Sequence, residues 1–188
     1  MNNNEIFKLV ESGIREGKSK SDIFRELGGT DDIARAVAAT PYFAERKRYQ
    51  KLNWALVAAV IYFAIIKLAF SLIGFFQSGL PIFAFPILLF VPAVAIWIAV
   101  NLSKFRGGFY IVAGLLSLAV LINGMPITSS ELNQKNVAVW AIVHIPLLLG
   151  CFLAFFLKNK LCPHLGYMGA KTDPTGKYLF LSEAPLQP

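Results

Sequence analysis

LNWALVAAVIYFAIIKLAFSLIGFF, residues Leu52–Phe76, opens a block of four apolar runs. It continues with LPIFAFPILLFVPAVAIWIAVNL (Leu80–Leu102), GFYIVAGLLSLAVLINGMPI (Gly108–Ile127) and VAVWAIVHIPLLLGCFLAFFL (Val137–Leu157). At 1.5 Å rise per residue, about 20 residues match a hydrocarbon core ~30 Å thick. Backbone N–H and C=O groups in lipid must be satisfied within the protein, so runs of this kind form helices. A β-barrel would need polar and apolar residues to alternate, and they do not. The block therefore predicts an all-α polytopic membrane protein with four transmembrane helices.

Composition agrees. Of 188 residues, 56% are hydrophobic, and the mean hydropathy is +0.57, well above the range of soluble domains. The formal charge is +7, and its placement carries more information than its size. Basic residues gather at Arg46, Lys47, Arg48 and Lys51, at Lys104 and Arg106, and at Lys158, Lys160, Lys171 and Lys177. In the opposite links Lys135 is offset by Glu131. The positive-inside rule then predicts both termini on the cytoplasmic side of a bacterial inner membrane. The first fifty residues lack an apolar core, so the first span is expected to act as an uncleaved signal anchor.

Outward from the block, residues 1–40 read as a helical mini-domain. Ile6, Phe7, Val10 and Ile14 lie at helical spacing, with Asn3 or Asn4 as cap and Gly17 as stop. Ser19-Lys20-Ser21-Asp22 opens a second helix presenting Ile23, Phe24 and Leu27. Gly28-Gly29 ends it, and Thr30 with Asp31 and Asp32 starts a third. Pro41 is expected at the first position of a fourth helix. Residues 41–51 then form a basic juxtamembrane helix running unbroken into the first span. Arg46, Lys47, Arg48 and Lys51 are its candidate lipid-interface residues, each drawn to anionic head groups by roughly 1 kcal/mol. A domain of about 40 residues buries little core alone, so it is expected to pack on the juxtamembrane helix, the tail or a partner.

Residues 158–188 form a turn-rich tail. Pro163, Gly166, Gly169 and Asp173-Pro174-Thr175-Gly176 mark turns, and Tyr178-Leu179-Phe180-Leu181 is predicted as a strand-like segment docking on the N-terminal helices.

Chemistry-bearing patterns are sparse. Cys162 and His164 lack the second ligand pair a zinc site needs. Cys151 and Cys162 are not expected to pair. No nucleophile sits beside a base in a recognisable order, so no enzyme, cofactor or metal is expected. The rhythm of Ser19–Thr40 suggests a helix–turn–helix, but Thr30-Asp31-Asp32 is acidic where a recognition helix meets DNA, so nucleic acid is not an expected partner. Lys67 is the one formally charged residue deep in a span, about 24 Å along the helix from Lys51, where its amine can snorkel. His144 lies in the outer half of the fourth run. Pro86 and Pro92 are expected to kink the second. Gly150-x-x-x-Ala154, and Ala113-x-x-x-Ser117 with Gly114, are candidate packing faces within the bundle or between subunits.

Two stretches carry a resemblance. One is Gly17–Leu27 with Ala38–Pro41 and Arg46–Asn53; the other is Leu165–Phe180. Together they resemble a set of small bacterial inner-membrane proteins. In architecture the chain is similar to immunity proteins against pore-forming colicins and secreted membrane-active effectors. That resemblance implies a non-enzymatic protein neutralising a membrane-inserting toxin. Its candidate contact residues are Lys67, Phe75, Phe76, Gln77, His144, Glu131 and Lys135. The competing expectation is a membrane-anchored scaffold or regulator that binds a cytoplasmic protein through its N-terminal helices. Expected partners are anionic lipid head groups, a toxin or effector, and a second copy of the chain.

Overall fold

The computed structural model describes residues 2–78, 85–123 and 134–182. The chain runs through α1 (Asn3–Arg15), α2 (Lys20–Glu26), α3 (Asp31–Ala39), α4 (Phe43–Ser78), α5 (Phe85–Ser103), α6 (Gly107–Asn123) and α7 (Gln134–Leu161), and closes with a 3-10 turn at Leu179–Ser182. Among the described residues β pairing is confined to two isolated bridges, Leu165 with Ala170 and Thr172 with Tyr178.

Local chemistry sets the head helices. Asn2 caps α1 in a capping box, its backbone N–H donating to Glu5 Oε2 at 3.0 Å. The Ser19 hydroxyl accepts from the Asp22 N–H at 3.1 Å and starts α2. Gly28 and Gly29, at φ +96° and +68°, make the left-handed corner into α3, which costs an L side chain about 1 kcal/mol or more. The fourth helix starts two residues later than Pro41. Tyr42 is its cap residue, taking the Arg46 N–H at 3.0 Å, and the Pro41 carbonyl accepts from Arg46 Nε at 3.2 Å. From there α4 runs as one helix of 36 residues.

In the bundle, α4 packs against α5 and α7, and α7 against α6, while the α5–α6 contact is slighter. Two helices are long and apolar enough to cross a membrane, α4 over Phe43–Gln77 and α7 over His144–Leu161. The other two contain shorter apolar segments, Pro92–Ser103 and Gly107–Ile122. Pro92 lies inside α5, whereas Pro86 falls in its first turn, where no intrahelical N–H bond is required. The small residues seat neighbouring helices within the chain. A Cβ on Gly114 would stand 2.7 Å from the Phe155 ring, and one on Gly150 would be 3.7 Å from Ala59. The α7 helix outruns the apolar run at Leu157 by a full turn, because Leu157, Leu161 and Cys162 are covered by the head.

The head shares one core with the base of the bundle. Val10, Ile23, Ala34 and Val37 belong to the same buried cluster as Leu56, Leu102, Tyr110, Leu157 and Phe180. The tail docks there as the sequence suggests, but in another conformation. Tyr178 and Phe180 stack on each other, 5.5 Å between centroids, and both meet the Phe24 ring edge-on. The segment fills a cup lined by helices rather than a sheet edge. It therefore satisfies its own backbone as a 3-10 turn, with the Leu181 N–H on the Tyr178 carbonyl at 3.0 Å.

Asp173 fixes the turn before it. One carboxylate oxygen accepts from the Thr175 hydroxyl at 2.7 Å and from the Thr175 and Lys177 N–H groups at 2.8 and 2.9 Å. These bonds, the hydroxyl's first, hold the Asp173 carboxyl below its ordinary range. A depressed carboxylate contributes order above its unfolded pKa, and that order is lost as pH falls through the folded value. NMR of the Thr175 amide in micelles should thus titrate at a lower pH than free aspartate. A midpoint at or above that of an unfolded tail peptide would contradict this assignment.

Candidate functional site

The three basic clusters of the sequence converge at one place. The start of α4, the α5–α6 loop and the end of α7 meet beneath α1–α3, at the base of the bundle. The seam is tight. A Cβ on Gly107 would lie 2.5 Å from the Ala39 carbonyl oxygen and 2.6 Å from Cys162 Sγ, and the Cys162 thiol donates to that carbonyl at 3.3 Å. Burial pushes the thiol up to about 12, outweighing the nearby Lys20, Arg46 and Lys158 charges that pull it down. Burial thus favours the neutral thiol of Cys162, which packs against Ala39 and Gly107 in the seam. Gly107→Ala has to part the head from the bundle and is expected to cost about 1–3 kcal/mol. Gly108→Ala, with nothing near the added methyl, should leave the melting curve in detergent almost unchanged. Equal melting of the two variants would refute the seam.

Beside it runs a buried polar chain. Asn53, fully enclosed, donates its amide N–H to the Leu102 carbonyl at 3.0 Å and accepts from the Tyr110 hydroxyl at 2.6 Å. One side chain of α4 thereby ties α5 and α6 together. Lys20 is equally buried, its ammonium 4.9 Å from the centre of the Tyr42 ring.

On the outer side of the seam the α5–α6 loop turns through Phe105, a non-glycine residue at φ +56°. Backbone strain of this kind costs about 1–3 kcal/mol and persists only where surroundings impose it. Here the Arg46 guanidinium lies 6.0 Å from the Phe105 ring, and its Nη1 donates to Glu11 on α1 at 2.7 Å. Arg106 Nη1 donates to Asn101 at 3.0 Å and lies 5.8 Å from the Phe7 ring. Between α1 and the α5–α6 loop this leaves a crevice of about 660 Å³; a second, of about 400 Å³, shares Asn4, Phe7 and Arg106 with it, extends between α3, α6 and the tail, and is lined by Asp32 and Arg35. The larger is lined by four cations, Lys8, Arg46, Lys104 and Arg106, against one carboxylate, Glu11. Trp97 forms its outer lip and meets Phe109 edge-on at 4.8 Å.

The residues singled out from sequence divide between the two ends. Lys47, Arg48 and Lys51 are exposed at the start of α4, whereas Arg46 turns inward to Glu11. Lys67 is half-buried, its amine directed back to the Phe63 ring one turn earlier at 5.7 Å. Phe75 and Phe76 meet edge-on at 5.8 Å, with Phe76 and Gln77 exposed. His144 is half-buried on α7. Glu131 and the side chain of Lys135 fall outside the described residues. Among the described residues no three His, Cys, Asp or Glu side chains gather as metal ligands. Asn53, Asn101 and Tyr110 escaped the sequence reading. Their signal was position, since each is a polar group near the end of an apolar run that adjoins a basic cluster.

No protein-family model, curated protein or solved structure matches the chain.

Proposed function

We propose that the chain is a four-span, non-enzymatic binding protein of the bacterial inner membrane, with both termini cytoplasmic, and that it works as a membrane-anchored scaffold or regulator through its head. The observation that carries this reading is the single core shared by α1–α3, the tail and the base of α4–α7. A head used only as a tether would not need such a core. Here it is held in a fixed pose against the membrane face, as presentation of a binding surface requires. Membrane insertion is supported by the apolar exterior of the bundle, where Ile65, Phe90, Trp97, Ile122 and Phe152 point outward. The orientation is supported by the convergence of all three basic clusters at one end. A mid-bundle cleft among Val60, Phe63, Ile98, Leu116 and Leu147 holds only about 20 Å³, which supports binding over conduction.

The immunity reading rests on the other end of α4, where half-buried Lys67 is flanked by exposed Phe70, Ile73 and Phe76. A toxin entering the bilayer would meet that surface first.

Co-purification from detergent-solubilised membranes, with mass spectrometry of the retained proteins, separates the two. The scaffold reading expects a cytoplasmic protein, lost on Leu9→Glu in α1 or Met168→Glu in the tail, both exposed positions. Recovery instead of a secreted membrane-active protein, lost on Lys67→Ala or Phe76→Ala, would replace it with immunity. Reporter fusions at the two termini check the topology, and activity of either on the periplasmic side would refute the four-span arrangement.

A further inference from the structure

We propose that the crevice between α1 and the α5–α6 loop is a binding site for one anionic glycerophospholipid, its phosphate held among Lys8, Lys104 and Arg106 and its acyl chains descending past Trp97 and Val112. The inference rests on the membrane reading above, which puts this crevice at the level of the lipid head groups.

Three features argue for that occupant. The first is charge. Among the described residues, Arg46 alone of the four lining cations is ion-paired, so Lys8, Lys104 and Arg106 face the space unpaired, and the adjoining smaller crevice adds one cation and one carboxylate, Arg35 and Asp32. Arg106 is oriented by Asn101 and by the Phe7 ring, which fixes its guanidinium where a planar two-point contact with a phosphate is favoured. The second is size. About 660 Å³, continuing past Arg106 into a further 400 Å³, is more than an inorganic anion fills and suits a head group with its glycerol. The third is continuity. The two crevices are bordered on the bundle side by Trp97, Val100 and Val112, which are exposed on the outer faces of α5 and α6. An indole at that level is the side chain expected where head group gives way to acyl chain. A soluble phosphate would use the cations and leave the apolar border unused; a lipid uses both.

The lipid would also join α1 to the loop between α5 and α6, a helix pair whose mutual contact is slighter than that of α4 with α5 or of α6 with α7. It differs from the diffuse attraction of Lys47, Arg48 and Lys51, which project from the outer side of α4 and line neither crevice.

The test uses the full chain with Trp54 and Trp140 replaced by Phe, leaving Trp97 as the sole indole, reconstituted in phosphatidylcholine vesicles. Flotation first confirms insertion. Brominated phosphatidylglycerol, titrated in at low mole fraction, should quench Trp97 far more strongly than brominated phosphatidylcholine. Lys104→Gln should weaken that preference about fivefold and Lys8→Gln/Lys104→Gln about thirtyfold, at unchanged melting temperature. The same two-charge removal at Lys47 and Lys51 should leave it intact. Equal quenching by the two lipids in floated vesicles would overturn the site while leaving the membrane reading standing. Full reversal by millimolar inorganic phosphate would overturn the lipid assignment in favour of a soluble anion. Failure to float would overturn both readings together.

Discussion

Phe180→Ala is expected to release the C-terminal tail and lower the unfolding free energy by about 3 kcal/mol, the low end of the range for removing a buried phenyl ring. The ring is fully enclosed, edge-on to Phe24 and stacked on Tyr178. The loss sits at the low end because the turn-rich tail can close over part of the void. Losing the ring also removes the anchor that keeps the Tyr178 hydroxyl on Asp31 at the start of α3. Thermal melts in detergent should show the loss, and limited proteolysis should cut first between Pro163 and Lys177. Met168→Ala, at a side chain 96% exposed, should change neither readout. A Phe180→Ala protein that melts like the parent would mean that the tail contributes nothing to the head.

Asn53→Ala should cost about 2–3 kcal/mol, from a different cause. The volume lost is small, but the Tyr110 hydroxyl is left as a buried donor with its acceptor gone, and such a group carries its full desolvation penalty. The Leu102 carbonyl suffers less, because it still accepts the Phe105 N–H at 2.9 Å. The sharper measurement is a cycle with Tyr110→Phe. Removing both polar partners together, as Asn53→Ala/Tyr110→Phe, should cost less than the sum of the two single changes, since no donor then remains unpaired. Simple additivity of the two single changes would show that the bond at 2.6 Å does not couple α4 to α6.

Much of this architecture is written in composition and spacing. The four apolar runs need no periodicity to be recognised, and each falls largely on one long helix, two of them long and apolar enough to cross a membrane. The head helices announce themselves through Ser19, Gly28-Gly29 and Thr30, whose chemistry is local. Three basic clusters distant in sequence also lie at one end of the bundle, where the start of α4, the α5–α6 link and the end of α7 meet. The base was harder to read. In the string, Arg46 is indistinguishable from Lys47 and Arg48. Only on a helical wheel does it fall with Tyr49, Asn53 and Leu56 on the inward face, and only the position of Glu11 gives that face a purpose. Gly107 looks like any residue of a Gly-Gly loop until Ala39 and Cys162 are laid against it. The 3-10 turn at Leu179–Ser182 reads as a strand because Tyr178-Leu179-Phe180-Leu181 is a short apolar run following a turn, and what it lacks is a neighbouring strand. Each miss concerns a partner remote in sequence, which no local pattern encodes.

The pairing of Phe24 with Phe180 has a further consequence, for the order in which the protein is made. The ring that opens the cup leaves the ribosome long before the ring that fills it, because the two lie far apart in the sequence. At about 5–20 residues per second the wait is on the order of tens of seconds. Through that time the head holds an apolar hollow open to whatever chaperone or protease attends the nascent chain. A chain that stops short of Phe180 keeps the hollow permanently, so arrival of the tail is registered in the head.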